Sequence, residues 1–281
     1  MRFTLVSILL FLLSFSSCKK DDGTEQDMSV TMLNVSYGTN AQQKMDVYLP
    51  ANRSTANTKV IIMIHGGGWN TGDKADFNEY VDSLKKREPS YAIFNINYRL
   101  ANSPDIFPAQ ELDVKAAVEF IYSKRSEHLI SDKFVLIGAS AGAHLALLQG
   151  YKYSTPVKPK AIIDFFGPND LVALYNNPPN PLVQPQLLAV TGGTPATNNT
   201  LYTQSSPINF VSSQSPPTMI LHGGIDLVVS PSQSVALDTK LYISGVTHQY
   251  VFYPSEGHGW VGANLTDSFN KILAFLAAYV D

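Results

Sequence analysis

The sequence has almost no cysteine. Cys18 is the only cysteine in 281 residues, which excludes an internal disulfide framework and a cysteine-based metal site. The six histidines are scattered, and no pair has the short spacing that a histidine metal site favours. We therefore expect no metal ion in this protein.

Charged residues are scarce as well. They make up 15% of the chain, against roughly 25% in an average soluble protein. The 20 Lys and Arg residues nearly balance the 23 Asp and Glu residues, and no long basic run occurs, so we expect no nucleic-acid partner. Apolar residues form 44% of the chain, which is enough for a sizeable core and excludes wholesale disorder.

The hydrophobic run near the start of the chain is short. Phe3 to Phe15 is mostly apolar and follows Arg2, as the apolar core of a secretory signal does. It falls short of the roughly 20 residues that span a bilayer. Cys18 comes directly after two serines. This arrangement resembles the bacterial lipoprotein signal, in the relaxed form found in the Bacteroidetes, whose cysteine becomes the lipidated N-terminus.

We therefore predict a lipoprotein signal peptide over residues 1–17, a lipid anchor on Cys18 and a polar tether over residues 18–29. The sequence Lys19-Lys20-Asp21-Asp22 looks like the short acidic signal that directs such lipoproteins to the cell surface. The expected location is the outer membrane or the cell surface, with membrane contact only through the anchor. A periplasmic or secreted protein, in which Cys18 is a free thiol, is the alternative.

From residue 30 onward the hydrophobic period changes repeatedly between strand and helix. Residues 30–37 and 45–49 alternate as half-buried antiparallel strands do, and six short apolar runs are typical of strands buried on both faces. Amphipathic helical patterns lie between these runs. The alternation predicts one α/β domain over residues 30–281, with a mostly parallel eight-stranded sheet, an antiparallel start and helices on both faces.

Residues 167–215 interrupt this rhythm. The segment is rich in proline, and its only apolar run is Leu187 to Val190. A loop of this length inside a compact domain is usually functional. Two interpretations stay open: a lid over the site, or a surface excursion with one short helix.

The strongest chemical signal is a G-x-S-x-G motif, Gly138 to Gly142, between a predicted strand and a predicted helix. In this context the motif indicates a strained turn that presents a nucleophilic serine, here Ser140, at the edge of the sheet. The N–H group after the nucleophile, which belongs to Ala141, then points toward the negative charge that develops on a substrate oxygen.

A second motif, His65-Gly66-Gly67-Gly68-Trp69, ends an earlier predicted strand. Consecutive glycines let backbone N–H groups approach a ligand without side chains in the way. No Lys-Ser or Lys-Thr pair follows, so a phosphate-binding loop is excluded. We predict Gly67 and Gly68 as partners of Ala141 in an oxyanion hole.

A nucleophilic serine needs a base, and the base needs a carboxylate that orients it. His258 lies in a glycine-flanked loop after the last predicted strand and is the predicted base. Asp226 follows the preceding strand in a turn and is the predicted acid, with Asp170 and Glu256 as rivals. The chain order of serine, aspartate and histidine is that of the α/β-hydrolase fold.

Together these motifs resemble an α/β-hydrolase of the esterase and lipase superfamily related to hormone-sensitive lipase. The resemblance is closest to the small bacterial carbohydrate esterases of feruloyl and acetylxylan esterase type, a BD-FAE-like group. Two departures favour these compact secreted enzymes over the lipases: Ala139 replaces the usual aspartate, and the N-terminal stretch is too short for a helical cap.

The resemblance implies a serine ester hydrolase that needs no cofactor and acts through an acyl-enzyme. Its expected substrates are carbohydrate esters, carrying acetyl or feruloyl groups, or other short-chain esters. By the same resemblance Trp69 lines an acyl or sugar pocket, or else packs in the core.

Two other functions stay open. Serine peptidases of the prolyl-oligopeptidase type share this catalytic end of the chain, but they normally carry a large added domain. A non-catalytic binding lipoprotein on the same fold usually lacks the serine or the histidine, and both are present here. The sequence leaves the oligomeric state unassigned.

Overall fold

The structure is a computed structural model that describes residues 28–102 and 104–280. The predicted signal peptide, the lipid anchor on Cys18 and most of the predicted tether lie outside the described residues.

Eight strands form one sheet in the order β1-β2-β4-β3-β5-β6-β7-β8. Their bounds are β1 (Val30–Ser36), β2 (Lys44–Leu49), β3 (Val60–Ile64), β4 (Ala92–Ile96), β5 (Phe134–Ala139), β6 (Ala161–Phe165), β7 (Thr218–Gly223) and β8 (His248–Tyr253). Strand β2 pairs antiparallel with β1 and β4, and the other neighbouring pairs are parallel. The mostly parallel sheet with an antiparallel start is therefore confirmed.

Helices cover both faces of the sheet, as predicted. The described α-helices are α1 (Asn78–Arg87), α2 (Ala109–Ser123), α3 (Arg125–His128), α4 (Ala141–Lys152), α5 (Leu171–Asn176), α6 (Val183–Thr191), α7 (Asn199–Gln204), α8 (Pro231–Ile243) and α9 (Gly262–Tyr279). Apolar side chains of α2, α4 and α8 join the core on one face, and those of α1 and α9 join it on the other. No helix within the described ranges is both long and apolar enough to cross a membrane.

The parallel strands bring their carboxyl ends to one edge of the sheet. Strand β3 leads into His65, β5 into Ser140, β7 into the turn that carries Asp226, and β8 into the loop that carries His258. Strands β3 to β7 are buried along almost their whole length, which explains their continuous apolar runs. Loops at the carboxyl ends of such strands form the usual binding crevice of open α/β sheets.

Residues 167–215 contain more helix than the sequence suggests. They form α5, α6, α7 and a 3-10 turn at Pro207–Phe210, where we expected at most one short helix. Leu171, Leu187 and Tyr202 are buried, so the segment packs against the domain. Each helix is too short to show a clear helical period in the sequence, and prolines lie in α6 and between the helices.

Candidate active site

Ser140 occupies the turn between β5 and α4. Its backbone has φ 54° and ψ −121°, a conformation that residues with a Cβ rarely adopt. Such strain costs about 1–3 kcal/mol and persists only where the surrounding structure imposes it. Two glycines make the turn possible. A Cβ on Gly142 would lie 2.0 Å from the carbonyl oxygen of Ile64, and one on Gly138 would lie 2.4 Å from Gly142.

The ring of His258, in the loop after β8, connects the serine to an aspartate. Its Nε2 lies 2.9 Å from Oγ of Ser140, and its Nδ1 lies 2.7 Å from Oδ2 of Asp226. A carboxylate only accepts hydrogen bonds, so Nδ1 carries the ring hydrogen and the lone pair of Nε2 faces the serine hydroxyl. Three residues from separate motifs thus meet in one hydrogen-bonded chain.

The Asp226 carboxylate is buried and accepts several hydrogen bonds. Its Oδ1 accepts the N–H groups of Val228 and Val229, and Oδ2 accepts the ring N–H groups of His258 and His222. Burial alone would raise the pKa of this carboxyl. The hydrogen bonds from the two histidines, the charge of His258 and the Val229 N–H outweigh burial and hold the pKa well below its usual range.

The two rival acids have other partners. Asp170 lies at the N-terminus of α5, where its carboxylate accepts the N–H of Ala173 as a helix cap. Glu256 shares the loop of His258, but its carboxylate accepts a hydrogen bond from the amide of Asn264. The geometry therefore favours Asp226 as the partner of His258.

The glycine loop after β3 lies against the serine. A Cβ on Gly66 would meet the Ala139 carbonyl oxygen at 2.9 Å and Cβ of Ser140 at 3.3 Å. Gly67 has φ 106°, and its carbonyl oxygen accepts both the N–H and the hydroxyl of Thr71, which fixes the loop. Within residues 28–102 and 104–280, the N–H groups of Gly67, Gly68 and Ala141 have no acceptor, so each is an unpaired hydrogen-bond donor.

Comparison with known proteins shows the family of this chain. The BD-FAE family model matches residues 45–241, a span that contains the glycine loop, the serine turn and Asp226. The chain belongs to the BD-FAE family.

Named relatives and solved structures extend this result. The BD-FAE chain is 29% identical over 194 residues to the probable carboxylic ester hydrolase LipM of Mycobacterium tuberculosis, covering 64% of this chain but 44% of LipM. The chain therefore spans less than half the length of that relative. A truncated carbohydrate esterase from gut microbiota superposes with a TM-score of 0.75 at 24% identity, over 89% of this chain and 98% of the esterase, which establishes the α/β-hydrolase fold.

A second solved structure is the bifunctional GH43-CE protein of Bacteroides eggerthii. It superposes with a TM-score of 0.77 at 25% identity. The match covers 87% of this chain and 35% of that protein, so this BD-FAE chain corresponds to one part of a larger molecule there.

The cleft beside Ser140 is open to solvent and measures about 930 Å³, with the adjoining solvent space included. Its walls are mostly apolar and come from the glycine loop, the strand ends and the segment 167–215. Lining residues include Trp69, Phe166, Leu174, Val183, Leu187 and Val229. The helical segment therefore forms one wall of the cleft. This role lies between a lid over the site and a surface excursion, the two interpretations that the sequence left open.

Trp69 both lines the cleft and packs in the core. Its side chain is buried, and its indole N–H donates to Nδ1 of His144 at 3.1 Å. The other ring nitrogen of His144 then carries the hydrogen and donates to the carbonyl oxygen of Ser205 at 2.6 Å. Burial lowers the pKa of His144 to about 4, so this histidine is a neutral brace that orients the tryptophan.

Phe166 and Gln186 are cleft residues that the sequence did not identify. The Phe166 ring centroid lies 4.5 Å from that of His258, and the amide of Gln186 donates to the carbonyl oxygen of Gly68. The sequence pattern predicts Phe166 as the last residue of a buried strand. Gln186 lies on a short helix with no clear period, so neither position carries a local signal of function.

A second carboxyl, Asp164 on β6, is fully buried near these residues. Its Oδ1 accepts the N–H of Gly167 at 2.8 Å, and Oδ2 has no partner within the described part of the chain. Burial raises the pKa of Asp164 to about 7, and the Gly167 hydrogen bond and the nearby His222 offset this only in part. The protonated form therefore stabilises the fold, and that contribution is lost as pH rises from about 4 through 7.

The Asp164→Asn variant is expected to gain stability relative to wild type as pH rises. Asparagine keeps an oxygen for the Gly167 N–H but carries no charge, so between pH 5 and pH 8 the relative gain should be about 2–3 kcal/mol. Urea unfolding at both pH values measures it, with the exposed Asp132→Asn as control. An equal difference at the two pH values would contradict the assigned titration.

The described residues offer no ready metal site. Across residues 28–102 and 104–280, no group of three or more His, Cys, Asp or Glu side chains is placed to hold a metal ion.

Proposed function

We propose that this BD-FAE protein is a serine carboxylic ester hydrolase with a Ser140, His258 and Asp226 triad. The observation that carries the proposal is the hydrogen-bonded chain from Ser140 through His258 to Asp226, set beside three free backbone N–H groups. The names of LipM, a probable carboxylic ester hydrolase, and of the truncated carbohydrate esterase from gut microbiota support the same activity.

The proposed reaction proceeds through an acyl-enzyme. Oγ of Ser140 attacks the ester carbonyl while Nε2 of His258 takes its proton, and Asp226 stabilises the resulting imidazolium. The N–H groups of the oxyanion hole hold the charge that forms on the carbonyl oxygen. His258 then protonates the departing alcohol, and water releases the acid by the same steps in reverse.

The proposed oxyanion hole predicts the effect of alanine at Gly68. A Cβ there would lie 1.6 Å from Nε2 of Gln186, so that side chain must move and give up its hydrogen bond to the Gly68 carbonyl oxygen. A φ of 56° is also strained for alanine, so we expect the backbone of the loop to shift. Losing one oxyanion donor costs about 10²–10³ in kcat, and Gly68→Ala should approach this loss with little change in KM.

The matched variants for Gly68→Ala are Gln186→Ala and the double variant. Removing the Gln186 side chain frees the space that the new Cβ needs, so the double variant should recover part of the lost kcat. A fully active Gly68→Ala protein would contradict the role of this loop in the proposed oxyanion hole.

We propose carbohydrate esters, with acetyl or feruloyl groups on plant polysaccharide, as the natural substrates. The open apolar cleft beside Ser140 suits an acyl group whose alcohol part projects into solvent. The structural neighbour named as a carbohydrate esterase supports the same substrate class.

A panel of substrates tests this class directly. The kcat/KM values on acetylated xylo-oligosaccharides and feruloylated oligosaccharides should exceed those on alkyl esters of the same acids. Good activity on alkyl esters with none on sugar esters would overturn the substrate proposal alone. Cleavage of peptide anilides without ester hydrolysis would instead favour the peptidase alternative.

We also propose that residues 30–281 form a single domain, anchored through a lipid on Cys18 at the outer membrane or cell surface. The support is the signal-like sequence before Cys18 and the polar stretch after it. Fractionation of cells that express the full chain and its Cys18→Ser variant tests the anchor. Loss of the protein from the membrane fraction in the variant is expected, and an equal distribution of both proteins would contradict it.

A further inference from the structure

Asp226 accepts hydrogen bonds from two histidines, and the proposed mechanism uses only one of them. The second is His222 at the end of β7, whose side chain is completely buried. Its Nε2 lies 3.2 Å from Oδ2 of Asp226 and 3.0 Å from the carbonyl oxygen of Val229. Its Nδ1 lies 2.6 Å from the hydroxyl of Ser234 on α8.

These contacts fix the tautomer of His222. The carboxylate and the carbonyl oxygen are both acceptors, so Nε2 must carry a hydrogen. In the neutral ring Nδ1 then has a lone pair, which accepts the hydroxyl hydrogen of Ser234. The ring therefore has one N–H group, which is shared between the Val229 carbonyl oxygen at 3.0 Å and Oδ2 of Asp226 at 3.2 Å. The ring is fully enclosed and does not line the cleft.

We propose that His222 is a positioning residue, which holds the carboxylate of Asp226 in the orientation that His258 requires. The two backbone N–H groups on Oδ1 anchor one oxygen, and the His222 N–H anchors the other, the same oxygen that faces His258. Oδ2 thus keeps a donor if the His258 ring shifts during the reaction. The inference rests on the proposed hydrolase function and deepens it.

The charged and titratable groups that face His222 are few. Asp226 lies in the loop after β7, with His258 beyond it, and Asp164 faces the ring from β6. From helix α8, the uncharged Ser234 contacts the ring. A pH profile of the reaction must therefore separate an effect of His222 from the titration of Asp164.

The test compares His222→Gln with His222→Asn. The glutamine amide nitrogen reaches about the position of Nε2 and can still donate to Asp226, whereas the asparagine amide reaches only about the position of Nδ1. Losing a hydrogen bond to a charged group should lower kcat about tenfold in His222→Asn, with KM little changed. His222→Gln should retain activity within about threefold of wild type.

The pH profile of kcat/KM provides a readout that a purely structural role would not move. Without the His222 N–H group, Oδ2 of Asp226 loses a hydrogen-bond donor, and less of its negative charge is offset. The carboxylate should then stabilise the protonated form of His258 more strongly. The acid limb of the profile should move to higher pH by about half a unit in His222→Asn but not in His222→Gln. Each profile is repeated with Asp164→Asn to remove the titration of Asp164.

The possible outcomes are distinct. Recovery of kcat and of the acid limb by glutamine but not asparagine supports the inference. Equal kcat and equal acid limbs in the two variants, or failure of both to fold while wild type is active, would overturn it, since His222 would then serve the fold alone. A wild-type protein without ester hydrolysis dependent on Ser140 would instead overturn the proposed function.

Discussion

Replacing Ser140 by alanine is expected to lower kcat for ester hydrolysis by a factor on the order of 10⁶. In the proposed mechanism Oγ of Ser140 is the atom that attacks, so the variant keeps the cleft and the oxyanion hole but loses the covalent route. The variant should retain only the small rate that substrate binding and oxyanion stabilisation support by themselves. Short initial-rate assays of wild type and long incubations of the variant, both with p-nitrophenyl acetate, cover this range of rates.

The matched control is Ser212→Ala, at an exposed serine in the loop before β7. This variant should hydrolyse the ester like wild type, and both variants should unfold at about the same temperature as wild type. Activity of Ser140→Ala within tenfold of wild type would contradict the assignment of the nucleophile, whatever the substrate.

Replacing Asp226 by asparagine is expected to lower kcat by about 10⁴. The carboxylate accepts the N–H of His258 Nδ1, whereas an asparagine amide can present N–H groups there and favour the other tautomer of the ring. Nε2 of His258 would then carry the hydrogen and could not take the proton of Ser140. The loss should appear in kcat, because ground-state binding of the ester does not involve Asp226.

Glu256→Gln is the matched control for Asp226→Asn. It neutralises the rival acid in the loop of His258 and keeps an oxygen for the amide of Asn264. We expect this variant to stay within about threefold of wild type. The reverse result, with Glu256→Gln inactive and Asp226→Asn active, would assign the acid of the triad to Glu256 instead of Asp226.

The sheet and the candidate triad are predictable from the sequence because each depends on a local signal. Continuous apolar runs identify strands buried on both faces, and the strained turn at Ser140 requires glycines at fixed offsets that the sequence displays. The chain order of the strand ends then places Asp226 and His258 at the same edge of the sheet as the serine.

The cleft wall could not be predicted in the same way. Gln186 contacts the glycine loop and Leu187 lines the cleft only because a segment of short helices folds back over the sheet edge, and helices this short have no clear period. The contact between His222 and Asp226 is also invisible in sequence, because His222 reads as the end of a core strand. Long-range packing, which no local pattern encodes, determines both features.

The most direct test of the central claim is to trap the acyl-enzyme and locate the acyl group. The full chain is quenched in acid during turnover of p-nitrophenyl acetate, digested, and its peptides are analysed by mass spectrometry. We predict a single acetyl group on Oγ of Ser140, absent from Ser140→Ala, and a burst of nitrophenolate that matches the amount of enzyme. Steady hydrolysis with no acetyl group on Ser140, or with the group on another residue, would contradict the proposed mechanism.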